Sequence, residues 1–192
     1  MNYLTCPLLL DEEINILKTN LLSNKSDWDD GKKTAGSLAS MVKNNLQLNR
    51  NSDSSKTNSK FIVKKLLTNT LIKSFALPKK IHGIMFTKSS KGMKYGRHVD
   101  NAYMSSGRAD LSFSIFLNKK NAYEGGELVV ENINTENKFK LNEGEIIIYP
   151  STYLHSVEEI TNGERLVCVG WIESYVKSIE EREYLFDIDA GA

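Results

Sequence analysis

The feature that most constrains this chain is the long middle stretch from Ile81 to Ile172, where short β-branched or alternating segments are separated by glycine and asparagine. A period of two puts successive side chains on opposite faces of a strand, so each segment builds a half-buried piece of sheet. Many such segments in a row predict a β-sandwich or barrel. Helical patterns flank it. Asp11 to Leu22 places Ile14, Ile16, Leu17 and Leu21 at near-helical spacing, with Asp11 as the N-cap, and Lys60 to Phe75 reads as a second helix ended by Pro78. Between them, Ser23 to Ser59 is polar and turn-rich and reads as a flap over a more rigid scaffold. A last helical pattern covers Tyr175 to Phe186. Helices first, strands next and a helix last predict an α+β domain, a double-stranded β-helix (jelly roll) with N-terminal helices packed on one sheet and a short C-terminal helix. The expected division of residues 1–192, taken as one domain, is a helical part over 1–80, a jelly-roll core over 81–173 and the C-terminal helix over 174–192.

Charge narrows the function. Lys and Arg number 25 against 24 Asp and Glu, a formal net charge of +1, so bulk electrostatics favours neither nucleic acid nor an anionic membrane. No apolar run has the length of a membrane span, and Met1 to Leu10 has no basic leader, which together predict a cytoplasmic protein. Cys6 and Cys168 are too few and too far apart for a disulfide framework or a zinc site. Specificity must then come from a local constellation of side chains.

Three histidines occur, His82, His98 and His155. His98 and Asp100 are two apart in an extended segment, so one ion can reach both. His155 follows the apolar strand Glu145 to Tyr149 and the turn at Pro150 and Ser151. Two imidazoles and a carboxylate on one face of an octahedron suit Fe(II), which keeps the opposite face for an oxidant and a chelating co-substrate. In isolation the pair His98 and Asp100 reads more readily as ordinary hydrogen-bonding residues than as metal ligands. Arg165 changes that balance. On the strand Arg165 to Trp171 it shares a face with Val167, Val169 and Trp171, while Leu166, Cys168 and Gly170 take the other. It is either a surface residue at a strand end or the partner of an anion, and its planar fork matches a carboxylate such as the distal one of 2-oxoglutarate. His82, in an apolar segment, reads as structural.

The motifs Tyr95-Gly96-Arg97-His98-Val99-Asp100-Asn101, Arg108-Ala109-Asp110-Leu111-Ser112, Tyr123-Glu124-Gly125-Gly126-Glu127-Leu128 and Tyr149-Pro150-Ser151 before His155, with Arg165 and Trp171, resemble the Fe(II)/2-oxoglutarate-dependent dioxygenases. Within them the likeness is to the prolyl-4-hydroxylase-like group and its PKHD-type hydroxylases. It extends to Trp28 with Asp30-Gly31, to Thr34-Ala35-Gly36, to Lys43-Asn44-Asn45 with Gln47-Leu48, and to Arg182 with Leu185-Phe186-Asp187. The resemblance implies that His98, Asp100 and His155 hold iron, that Arg165 anchors 2-oxoglutarate, and that Trp171 lines the same pocket. It implies Fe(II), 2-oxoglutarate and O2 as cofactor and co-substrates, with ascorbate as a reductant. Asp110, Ser112, Ser114 and Phe116 are expected to face the cavity and Leu111, Phe113, Ile115 and Leu117 the core, with Ser112 or Ser114 donating to 2-oxoglutarate. Tyr95, Arg97 and Asn101 are expected in the substrate pocket, Lys43 to Asn45 at its entrance, and Gly125-Gly126 in a tight turn. Two departures stand out. Lys88 and Ser89 occupy the place of a co-substrate-binding tyrosine, and the chain stops at Ala192 where many of the family continue into a helical tail. The implied reaction is hydroxylation of a prolyl residue in a peptide or protein. The alternatives are an oxygenase of a free amino acid or other small molecule, and a non-oxidative cupin-like metal-binding protein.

Overall fold

A computed structural model describes residues 3–24, 27–34, 37–132 and 134–191. Ala35 and Gly36 of the motif that begins at Thr34 lie outside the described residues. The chain opens with strand β1 (Leu4–Pro7) and helix α1 (Asp11–Leu22). The N-cap of α1 is Leu10 in place of the expected Asp11: Leu10 is still extended, and its amide donates to the Glu13 carboxylate at 3.0 Å. Asp11 already belongs to the first turn, where a negative charge is favoured by the helix dipole.

The segment expected to be a loop is built of short elements. Strand β2 (Trp28–Asp30), a 3-10 turn (Gly31–Thr34), helix α2 (Ser37–Val42) and strands β3 (Lys43–Asn44) and β4 (Leu46–Leu48) follow one another. Their ladders are non-local, β4 to a strand beginning at Pro78 and β3 to one beginning at Lys94, and local polarity does not reveal such pairing. The second helix also differs from expectation. It divides into α3 (Asp53–Thr68) and α4 (Thr70–Ala76) at Asn69, whose extended backbone ends the first helix and whose side chain caps the second by accepting from the Ile72 amide. It starts early because Ser52 accepts from the Ser55 amide as N-cap.

From there the chain runs through β5 (Pro78–Ser90), β6 (Lys94–His98), a ribbon of β7 (Tyr103–Met104) and β8 (Gly107–Arg108), and then β9 (Leu111–Phe116). Next come β10 (Tyr123–Gly125), β11 (Leu128–Glu131), β12 (Glu136–Phe139), β13 (Glu145–Pro150), β14 (Leu154–Val157) and β15 (Ile160–Ser174). Helix α5 (Ile179–Gly191) closes it, starting later and ending later than its sequence pattern suggests. The main sheet has the order β1-β13-β9-β15-β5-β4-β2, with β10 on β15, and the second sheet β12-β11-β14-β6-β3. From β13 to β15 the chain passes from the main sheet to the second and back, and from β5 to β6 it crosses once more. That alternation is the double-stranded β-helix.

Two apolar clusters follow from the strand period. On the outer face of the main sheet, Phe86, Leu111, Phe113, Ile115, Ile146, Ile148, Leu166, Cys168 and Ile172 meet Ile14 and Leu17 of α1, Ile62 and Leu66 of α3 and Ile72 and Phe75 of α4. Between the sheets, Phe116, Ile147, Tyr149 and Val167 meet Leu128, Val130 and Phe139. The second cluster fills only part of that space; the rest is a cavity. No helix among the described residues is long and apolar enough to cross a membrane.

Candidate metal and co-substrate site

His98 ends β6 and His155 lies opposite it on β14, so one rung of the second sheet carries both imidazoles. Their ring centroids are 4.2 Å apart. The ladder stops after His98, and Asp100 curls back to within 4.0 Å of His98 Nε2 and 3.7 Å of His155 Nε2. One ligand atom from each of the three lies within 4.8 Å of the others, close enough to share one ion.

The hydrogen bonds decide which atoms are available. His98 Nδ1 is 2.8 Å from the Gly96 carbonyl and His155 Nδ1 is 3.0 Å from the Tyr153 carbonyl. A carbonyl only accepts, so each Nδ1 carries the proton and each Nε2 keeps its lone pair for a metal. Burial, and then the neighbouring His155, pushes His98 down to about 4, so its ring is neutral at pH 7. Tyr95 stacks on that ring with centroids 3.7 Å apart and fixes its plane. Asp100 Oδ2 accepts from Ser112 Oγ at 2.6 Å and from the indole Nε1 of Trp171 at 2.9 Å. The carboxylate is thereby aimed, with Oδ1 left for an ion. Close packing secures the indole: Gly83 lies in the left-handed region at φ 64°, and a Cβ there would stand 2.4 Å from the Trp171 ring.

Arg165 is the second part of the site. It enters from β15 into the same cavity, is 3% exposed, and its Nε has no hydrogen-bond partner among the described residues. Burial disfavours its charge; Tyr123, Tyr149 and Glu127 offset part of that cost. The Tyr123 hydroxyl is near enough to favour the guanidinium, yet it too is buried without a hydrogen bond of good geometry. Phe116 lies under the guanidinium, 5.4 Å from ring centre to Cζ. Gly126, at φ 71°, keeps that approach open, since a Cβ would meet the Ile160 side chain at 2.2 Å and Arg165 Cδ at 3.1 Å. A buried, incompletely satisfied guanidinium calls for an anion. The cavity of about 980 Å³ that holds it also holds His98, Asp100 and His155. A divalent ion on the three ligands and a dicarboxylate reaching from that ion to Arg165 fit these donors.

Several expected residues do something else. Ser112 and Trp171 line the cavity, but each gives its hydrogen to Asp100, so Ser112 is not a free donor for 2-oxoglutarate. Ser114 is buried on the cavity wall. Asp110 is turned away: it takes two hydrogen bonds from Arg108 at 2.7 and 2.8 Å and one from the Ser174 amide. Phe116 packs beneath Arg165 between the sheets and does not line the cavity. Arg97 and Asn101 sit at the exposed rim, with Arg97 forked onto Glu131. His82 is structural, its ring nitrogens 2.8 Å from Ser106 Oγ and 2.9 Å from the Arg108 carbonyl, which ties down the ribbon beside the cavity mouth. Of the two residues at the tyrosine's place, Ser89 is buried on the cavity wall across the ladder from Arg165, and Lys88 turns to Glu164 and the Trp28 ring. Tyr149, part of the motif before His155 but given no role there, lines the cavity and meets His155 edge-on; its place two residues after Ile147 on an alternating strand is the signal for that role.

Residues 84–173 match the model of the 2OG-Fe(II) oxygenase superfamily. Over its full length the chain is 72% identical to a PKHD-type hydroxylase of Prochlorococcus marinus (strain AS9601), of which it covers 87%. The chain belongs to the PKHD-type hydroxylases. A PKHD-type hydroxylase of strain MIT 9313 is 55% identical, again over all of this chain and 87% of the relative. Fold likeness reaches further. A Pseudomonas putida prolyl-4-hydroxylase superposes with a TM-score of 0.66 at 14% identity, covering 91% of this chain and 94% of that one. A prolyl hydroxylase from Trichoplax adhaerens, in complex with a hypoxia inducible factor peptide fragment, gives 0.66 at 12% identity over 96% and 86%. This PKHD-type hydroxylase is therefore an oxidoreductase of the Fe(II), 2-oxoglutarate and O2-dependent class.

Proposed function

We propose that this chain hydroxylates a C–H bond of a prolyl residue in a peptide or protein, releasing succinate and carbon dioxide. In this reading His98, Asp100 and His155 hold Fe(II), and Arg165 holds the distal carboxylate of 2-oxoglutarate. The observation that carries it is the buried Arg165, short of hydrogen-bond partners, in the cavity that also contains the three candidate ligands. When bound, the iron with 2-oxoglutarate and dioxygen supplies the oxidising chemistry. The protein's residues do the rest. Gly96 and Tyr153 carbonyls fix the imidazole tautomers, Ser112 and Trp171 aim Asp100, and Tyr149 with the apolar wall at Leu128, Val157 and Val169 limits water. The prolyl assignment is supported by the names of the Pseudomonas and Trichoplax neighbours, the second bound to a peptide. In this reading the peptide lies at the cavity mouth, which is rimmed by exposed Arg97, Val99, Asn101 and Tyr103. The protein is expected to act in the cytoplasm.

The test is to incubate the protein with Fe(II), ascorbate, 2-oxoglutarate and a proline-containing peptide library, following succinate and peptide mass together. The expected result is one oxygen added to proline for each succinate formed above the peptide-free background. Succinate formation stimulated by a free amino acid, with no oxygen gained on any peptide, would transfer the reading to a small-molecule oxygenase.

A further inference from the structure

A carboxylate offers about four lone-pair sites, and a forked guanidinium fills about two of them. On the function proposed above, on which this inference rests, the distal carboxylate of 2-oxoglutarate is buried beside Arg165 and calls for a further donor. Most polar groups nearby are committed or badly placed. Lys88 turns to Glu164 and the Trp28 ring, and Ser89, opposite Arg165 in the ladder, carries its hydroxyl only one carbon off the sheet. Ser112 and Trp171 give their hydrogens to Asp100. The Tyr123 hydroxyl is shut away from the cavity wall.

Tyr149 differs in reach. Across β13, β9 and β15 it forms one rung with Ser112 and Trp171, so it starts level with the residues that aim Asp100. Its ring meets the His155 ring edge-on, with centroids 5.4 Å apart. The same side chain belongs to the inner cluster with Phe116 and Val167. Phe116 lies under the Arg165 guanidinium, 5.4 Å from ring centre to Cζ, and Val167 is two residues from Arg165 on the same strand face. The phenol therefore bridges the stretch of wall from a metal ligand towards Arg165, buried at 3% exposure and lining the cavity. Burial above all keeps its proton in place; Asp100, Arg165 and Tyr95 act on the hydroxyl through space, none of them through a hydrogen bond. A protonated phenol so placed is a donor for an anion in the cavity.

We infer that Tyr149 binds the co-substrate: its hydroxyl donates to the distal carboxylate of 2-oxoglutarate beside Arg165, and so helps select 2-oxoglutarate over 2-oxo acids that lack the second carboxylate.

Tyr149→Phe removes the hydroxyl and keeps the ring against His155. The test uses the full chain loaded anaerobically with Fe(II), whose visible charge-transfer band reports binding of two acids. One is 2-oxoglutarate; the other is 2-oxopentanoate, which has the same chelating end and carbon chain without the distal carboxylate. Tyr149→Phe is expected to weaken 2-oxoglutarate by about tenfold, as for one hydrogen bond to a charged group, and to leave 2-oxopentanoate within about twofold. Fe(II) affinity in a competitive chelator titration is expected to hold, and Ser89→Ala is expected to bind 2-oxoglutarate as the wild-type protein does. Unchanged 2-oxoglutarate affinity in Tyr149→Phe overturns the inference, as does an equal loss for both acids, which traces to ring packing or to the chelating end. A wild-type protein that forms no band overturns the co-substrate reading together with the inference. A wild-type band that Arg165→Ala weakens and Tyr149→Phe does not overturns the inference alone.

Discussion

The outward face of β15 carries Leu166, Cys168 and Ile172 into the helix-covered cluster; its inward face carries Arg165, Val169 and Trp171 into the cavity. One strand thus serves two environments built to opposite rules. Outside, complementary apolar packing against α1, α3 and α4 removes surface from water and contributes stability. Inside, a guanidinium is buried short of hydrogen-bond partners and two imidazole nitrogens keep their lone pairs. The inner face holds groups that a fold optimised for stability alone would replace by hydrocarbon. Stability and chemistry are separated by the two-residue period of the strand.

The division predicts that a cut on one face leaves the other intact. Largest should be Phe86→Ala in the outer cluster, losing about 3–5 kcal/mol of stability in urea denaturation. The 2-oxoglutarate affinity of the protein that remains folded should stay within about twofold. Arg165→Ala should do the reverse, weakening 2-oxoglutarate by about a hundredfold while the melting temperature holds or rises, because an incompletely satisfied buried charge has gone. A large loss of stability in that variant would show that the inner face also holds the fold together.

Asp110 sharpens the boundary. It was expected to face the cavity, but it lies just before the first residue of β9, where Arg108 and the Ser174 amide claim it. Asp110→Asn should therefore cost about 1–3 kcal/mol of stability by chemical denaturation, with the affinity for Fe(II) unchanged. Smallest should be Trp171→Phe, which keeps the ring but removes the donor to Asp100. Fe(II) affinity is expected to drop by about tenfold in a competitive chelator titration, with little change in unfolding.

The legible part of the molecule is the part governed by local period. Leu111, Phe113 and Ile115 fall on the outer cluster and Ser112 and Ser114 on the cavity wall because alternation fixes the face of a strand residue whatever its partners are. Helix α1 was readable for the same reason, from its spacing of Ile14, Leu17 and Leu21. What was not legible depends on distant partners. The break at Asn69, the short strands between Trp28 and Leu48 and the claim of Arg108 on Asp110 arise from ladders and hydrogen bonds across the fold. At the site, residue types indicated the ligands and Arg165. The indole N–H of Trp171 on Asp100 and the burial of Lys43 beside Tyr95 depend on three-dimensional placement that spacing does not carry.

The most direct test of the central claim is an anaerobic titration of the protein with Fe(II) and 2-oxoglutarate, watched in the visible range. A charge-transfer band should saturate at one iron and one 2-oxoglutarate per chain, fail to form in His155→Ala, and require far more 2-oxoglutarate in Arg165→Ala. A colourless mixture, or a band of unchanged strength and midpoint in both variants, would contradict the assignment of His98, Asp100, His155 and Arg165 to one site.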